Sequence, residues 1–279
     1  MINTENILKE EVNNQILEKP VLFGSKGIKL NGTIYIPESA SSHNRMPAAV
    51  LCHGYGDEQA SFQNSARELA AEGVATLTFD FRGHGASGGR LDGSIVDDIL
   101  DAWNYLRNQP EVDRKRMGLI GHSMGAFSAI MAAGKLKKAR VLIALSCPGE
   151  INYAVARNPK HFAFPALIYV AKWIFKLNNL IRNIKISVDW KKFLEFWPKM
   201  KLSKALSELD DCAKLFVFCL GDKASPYQKF MYSYAMATEP KQIMVASGRH
   251  NTPMESGTLR EQWLKWAVVT LHGSHTTDK

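Results

Sequence analysis

The chain has 279 residues, 46% apolar and 22% charged, values of a globular protein with ample core, which excludes the disordered, fibrous and coiled-coil classes. Its formal net charge of +8 is unevenly placed: residues 151–205 hold eleven Lys/Arg and two acids, and the remainder is close to neutral. The polar N-terminus, Met1 to Asn6, predicts no signal peptide, and the longest apolar stretch, Phe162 to Phe175, contains Pro165 and Lys172 and is too short to span a bilayer.

Residues 1–19 read as a short helix or a loose arm. Val21 to Phe23 and Ile28 to Ile36 flank Gly24-Ser25-Lys26-Gly27, a hairpin pattern. After a polar loop, Ala48 to Cys52 is the continuous apolar run of a buried parallel strand, and His53-Gly54-Tyr55-Gly56 follows it. A helix over Ser61 to Glu72, stopped by Gly73, precedes a strand from Val74 to Phe79. The Gly-rich loop from Asp80 to Gly89 lacks the Lys-Ser/Thr of a phosphate cradle. A helix beginning near Ser94 buries Ile99, Ala102, Trp103 and Leu106. A strand ending at Ile120 meets Gly121-His122-Ser123-Met124-Gly125, and a helix begins there. Val141 to Leu145 is the next strand. Beyond residues 151–205 come a strand at Leu215 to Leu220, a helix at Pro226 to Ala237, a strand at Gln242 to Ala246, and a last helix from about Ser256 to Leu271. This alternation predicts an α/β fold, a doubly wound and mostly parallel sheet with its sites at the C-terminal ends of the strands. Cys52, Cys147, Cys212 and Cys219 lack metal-ligand spacing and lie in or beside apolar runs, so they read as buried free thiols of a reducing cytoplasm.

Chemistry is expected where strands end. Strand, sharp corner and helix around Gly-x-Ser-x-Gly make a nucleophile elbow, with Ser123 on the corner. A serine hydroxyl attacks well only when a base takes its proton, and His250, following the last strand, is the candidate base. The negative oxygen formed on attack needs two N–H donors. Met124, just after the serine, and Tyr55, in the loop after the early strand, are the candidates.

Four motifs then stand in order: His53-Gly54-Tyr55-Gly56, Asp80-Phe81-Arg82-Gly83-His84-Gly85-Ala86-Ser87, the elbow, and Gly248-Arg249-His250. With them the chain resembles the α/β-hydrolase superfamily over nearly its full length, and within it serine esterases, lysophospholipase-like enzymes and acyl thioesterases. The resemblance implies an acyl-enzyme mechanism with no metal and no organic cofactor. It also places the catalytic acid after the penultimate strand in Gly-x-x-Asp, where this chain has Gly221-Asp222-Lys223-Ala224. The expected position is Ala224. Three readings stand: Asp222 serves through a shifted loop, Glu150 beyond the preceding strand serves instead, or the acid is absent.

The same resemblance makes 1–150 and 206–279 the hydrolase core and 151–205 an inserted helical cap over the nucleophile. Trp190, Phe193, Leu194 and Trp197 fall on one helical face and are candidates to line a substrate pocket. The cationic cap suits an acyl group carried on coenzyme A or an acidic acyl carrier protein, or contact with an anionic membrane surface by a peripheral protein; nucleic acid is not expected. The leading expectation is a cytoplasmic serine hydrolase of an acyl ester or thioester. The alternatives are an acyltransferase using the same acyl-enzyme with an alcohol or amine acceptor, and a non-catalytic acyl-ligand-binding protein on the same scaffold, a reading that rests on Ala224.

Overall fold

The computed structural model describes residues 16–150, 164–181, 185–255 and 257–273. In chain order its elements are β1 (Ile16–Ser25), β2 (Ile28–Pro37), β3 (Met46–Cys52), α1 (Gln63–Ala71), β4 (Ala75–Phe79), α2 (Ile95–Arg107), β5 (Val112–His122), α3 (Met124–Leu136), β6 (Val141–Leu145), α4 (Phe164–Ile181), α5 (Trp190–Phe196), α6 (Leu202–Leu206), β7 (Ala213–Cys219), α7 (Met231–Met236), β8 (Lys241–Ala246), α8 (Thr252–Glu255) and α9 (Gly257–His272). The strands form one sheet in the order β1-β2-β4-β3-β5-β6-β7-β8. β1 and β2 pair antiparallel, as does β2 with β4; every pairing from β4 through β8 is parallel. This is the expected doubly wound sheet, with the antiparallel hairpin at one edge.

One expectation at that edge needs correction. β1 begins at Ile16, so Ile16 to Lys19 are strand rather than arm; residues 1–15 lie outside the described residues. Glu18, Lys19 and Pro20 disguise the strand. They are tolerated because β1 is an edge strand, where a missing N–H and solvated charges cost little.

The central strands are buried on both faces, which is why they read as unbroken apolar runs. On one face lie α2 and α3, with Ile99, Ala102, Trp103 and Leu106 of α2 buried as the periodicity predicts. On the other lie α1 and α9, with Phe62, Leu69 and Trp263 in the second core layer. All four cysteines are buried and free.

The loop after β4 is held by buried charge. Arg82 donates to both oxygens of Asp98 on α2, at 2.6 and 3.0 Å, and Ser25 Oγ donates to the same carboxylate at 2.7 Å. Losing one partner of such a pair strands the other charge, a change that typically costs about 3–5 kcal/mol. Asp80 fixes the loop from within by accepting the Gln59 and Ala86 N–H groups at 2.7 and 2.9 Å.

Of the segment expected to be a cap, 151–163 and 182–184 lie outside the described residues. The stripe Trp190, Phe193, Leu194 and Trp197 does turn inward, although Trp197 opens a separate 3-10 turn after α5. Phe193 is buried, and the Trp197 ring stacks on Phe127 of α3 with centroids 4.3 Å apart. The segment is therefore packed against the helix that follows the elbow.

Candidate active site

β5 delivers Ser123 to the C-terminal edge of the sheet. Its backbone turns sharply, with φ 51° and ψ −117°, a conformation that a non-glycine residue holds only when its surroundings enforce it. Here the Ser123 N–H donates to the Leu145 carbonyl at 2.9 Å, and the Ser123 carbonyl accepts from Phe127 in the first turn of α3. Close packing completes the corner. A Cβ on Gly125 would overlap the Cys52 carbonyl oxygen, so only glycine lets α3 pass β3 so closely.

His250 and Asp222 arrive from the next strand ends. After β7 and β8 the chain continues to pair: Leu220 N donates to Ala246 O, and Gly221 N donates to Gly248 O, both at 2.9 Å. These bonds bring the two loops together. Asp222 Oδ2 then lies 2.8 Å from His250 Nδ1, and His250 Nε2 lies 2.9 Å from Ser123 Oγ. An ionised carboxylate only accepts, so Nδ1 carries the proton, and the neutral ring accepts the serine hydroxyl at Nε2. The other carboxylate oxygen, Oδ1, accepts the Ala224 and Ser225 N–H groups at 2.9 and 2.8 Å. Burial alone would raise the Asp222 carboxyl. The bonds from His250, Ser225 and Ala224 outweigh it and hold the group below the usual carboxylate range.

Of the three readings of the acid, this geometry brings Asp222 to His250. Ala224 does not replace a missing carboxylate: its N–H orients Asp222, two residues earlier. Glu150 is not the partner either, because it accepts the Ser203 N–H at the start of α6, and both ring nitrogens of His250 are already engaged. Among the described residues no cluster of acids, histidines and cysteines could hold a metal ion.

The loop carrying Tyr55 is pressed against Ser123: a Cβ on Gly54 would sit 3.4 Å from Ser123 Cβ. Met124 is the first residue of α3, where backbone N–H groups have no partner within the helix. Both expected oxyanion donors thus come from segments that meet at Ser123. The Tyr55 hydroxyl, its pKa pushed up to about 12 by burial, reaches away and accepts from Asn179 Nδ2 of α4 at 3.0 Å. Phe193 lies beside the same tyrosine, ring centroids 6.5 Å apart.

Three further histidines brace these loops. His122 Nε2 and Ser146 Oγ both donate to the His250 carbonyl, at 3.1 and 2.8 Å, and fix the backbone from which the His250 ring projects. Ser146 has no distinctive motif and was missed in the sequence. It sits just after β6 with a left-handed backbone, φ 48°. His53 donates from Nδ1 to Gly54 O and accepts the Phe81 N–H at Nε2. His84 donates from Nδ1 to the Arg82 carbonyl. Burial, the largest cause in each case, lowers the pKa of His53 and His122 to about 4 and that of His84 to about 3, so all three are neutral at pH 7.

Comparison with known proteins agrees with this architecture. The sequence model of the family described as Serine aminopeptidase, S33, matches residues 44–204, more than half of the chain. A thiohydrolase of Aspergillus aculeatus, aneE, is 32% identical over 128 residues, 44% of this chain and 38% of its own length. A polyketide transferase of Penicillium crustosum, claH, is 33% identical over 139 residues, 48% and 44% respectively. The matched stretch spans less than half the length of these relatives. Among solved structures, the α/β hydrolase GrgF from Penicillium sp. sh18 superposes with a TM-score of 0.73 at 16% identity, covering 91% of this chain and 98% of that one. A Pyrococcus furiosus esterase does so with 0.66 at 21% identity, covering 93% and 92%. At those identities the likeness is one of fold. The chain belongs to the α/β-hydrolase family described as Serine aminopeptidase, S33.

Proposed function

We propose that the protein is a serine hydrolase of acyl esters or thioesters that works through an acyl-enzyme on Ser123. The observation that carries this reading is the continuous row Asp222–His250–Ser123, joined at 2.8 and 2.9 Å on a strained corner beside two candidate oxyanion donors.

The steps follow from the geometry. Ser123 Oγ attacks the acyl carbonyl carbon while its proton passes to His250 Nε2. The carbonyl oxygen takes up the negative charge and is held by the Met124 and Tyr55 N–H groups, each donor worth about 3–4 kcal/mol in such a site. Asp222 steadies the imidazolium. The leaving alcohol or thiol departs with the proton from Nε2. A water molecule then gives its proton to His250 as it attacks the acyl carbon, and His250 returns that proton to Ser123 Oγ as the acyl–oxygen bond breaks and the acid leaves. Phe193, with Trp190, Leu194 and Trp197 behind it, provides an apolar wall next to Tyr55 that suits a medium or long acyl chain, or an aromatic one.

The family takes its name from peptidases, but the thiohydrolase relative favours an activated acyl carbonyl. The polyketide transferase relative favours a second reading, in which an alcohol or amine acceptor replaces water. A non-catalytic role rested on Ala224 alone, and a carboxylate 2.8 Å from His250 Nδ1, that of Asp222, weakens that support.

One experiment tests the intermediate and separates the two enzymatic readings. Aryl ester, alkyl ester and thioester of one acyl group are supplied together with an alcohol acceptor. A shared acyl-enzyme predicts the same ratio of free acid to transferred acyl from all three. A ratio that changes with the leaving group contradicts a shared intermediate. A ratio dominated by the transferred acyl at low acceptor concentration makes the protein a transferase.

A further inference from the structure

α4 presents an apolar side to solvent, while Asn179 turns inward and donates to the Tyr55 hydroxyl. Tyr169, Trp173, Ile174, Leu177, Leu180 and Ile181 are each more than half exposed, Leu180 by 79%. At about 100° per residue these six occupy one arc of about 140°. Lys172 and Lys176 flank one edge of that arc. Lys176 Nζ lies 5.7 Å from the centre of the Trp173 ring. A helix on a water-facing surface would carry polar side chains over such an arc.

Charge identifies what covers this arc. The segment that contains α4, residues 151–205, has eleven basic residues against two acids, whereas the rest of the chain is nearly neutral. Lys176, Lys185, Lys191 and Lys192 are all exposed. A second copy of the chain would set one cationic face against another, which like-charge repulsion opposes. The arc lies on the outside of a single helix, a convex surface and not a groove. Tyr and Trp among aliphatic side chains, with lysines at the margin, is the composition of a helix lying in a membrane interface. Among the described residues no helix is long and apolar enough to cross a membrane, so the arrangement lies on the surface and does not span it.

We infer that α4 is an interfacial anchor whose outer arc beds into an anionic lipid bilayer, with the surrounding lysines on the headgroups. Through Asn179 the docked helix connects directly to the loop beside Ser123, so that an acyl substrate drawn from the bilayer arrives next to the nucleophile. Only this last clause rests on the proposed hydrolase chemistry; the docking does not.

The test is co-sedimentation of the full chain with vesicles. Wild type is expected to bind vesicles of equal phosphatidylcholine and phosphatidylglycerol, more weakly at high salt, and to bind pure phosphatidylcholine poorly. The double variant Leu177→Glu/Leu180→Glu is expected to lose at least about tenfold in binding to the anionic vesicles. Both positions face solvent, so its thermal midpoint and its rate on a short water-soluble ester stay those of wild type. Ser123→Ala is expected to bind vesicles as wild type does, which separates failure of docking from failure of the chemistry. Three results overturn the inference: no binding of wild type to anionic vesicles, equal binding by the double variant, or a stable wild-type dimer in light scattering that Leu177→Glu/Leu180→Glu dissociates.

Discussion

Ser123→Ala is expected to lower kcat on an aryl ester by about 10⁵–10⁶-fold, or about 7–8 kcal/mol of transition-state stabilisation. The change removes a single oxygen. The Cβ stays where the strained corner holds it, and the bonds that fix the corner, Ser123 N to Leu145 O and Phe127 N to Ser123 O, are backbone bonds and survive. The variant should therefore match wild type in its thermal midpoint while losing turnover. The residual rate over water would come from the oxyanion donors and substrate positioning, which remain. A variant that keeps a tenth or more of the wild-type kcat would show that another group carries the acyl.

Asp222→Asn carries the next largest expected effect, a fall of about 10⁴ in kcat, the size seen when a serine protease loses the same charge. The physical reason lies in the hydrogen-bond row. An amide can still accept the Ala224 and Ser225 N–H groups at its oxygen, but it then presents an NH₂ to His250 Nδ1. Two donors cannot face each other, so the ring moves its proton to Nε2 and can no longer accept the hydroxyl of Ser123. Two controls locate the effect. Glu150→Gln is expected to change kcat by less than about threefold, since Glu150 serves α6. Adding Ala224→Asp to Asp222→Asn is expected to restore nothing, because residue 224 reaches the site through its N–H and its side chain is exposed. Full rescue by that double change would return the acid to position 224.

The acid shows where the sequence stops being legible. Ala48 to Cys52, Val141 to Leu145 and the elbow could be read directly, because a strand buried on both faces and a tight strand-to-helix corner each leave a local pattern. Asp222 could be named ahead of Glu150, but local sequence did not settle the choice. The choice depends on Leu220 and Gly221 pairing with the chain after β8, and such long-range register leaves no local trace. α4 was opaque for a different reason. Its apolar residues run nearly all round, so periodicity selects no face, and only the bond from Asn179 to Tyr55 shows which side turns inward. β1 was hidden by Glu18, Lys19 and Pro20, residues that an edge strand accepts and a central strand does not.

The central claim is that Ser123 is a nucleophile activated by His250. Intact mass and peptide mapping after treatment with a fluorophosphonate probe test it most directly. The account predicts one phosphonyl group per chain, located on Ser123, absent from Ser123→Ala and strongly slowed in His250→Ala and Asp222→Asn. Folded wild-type protein that takes up no probe, or takes it up on a residue other than Ser123, would contradict the account.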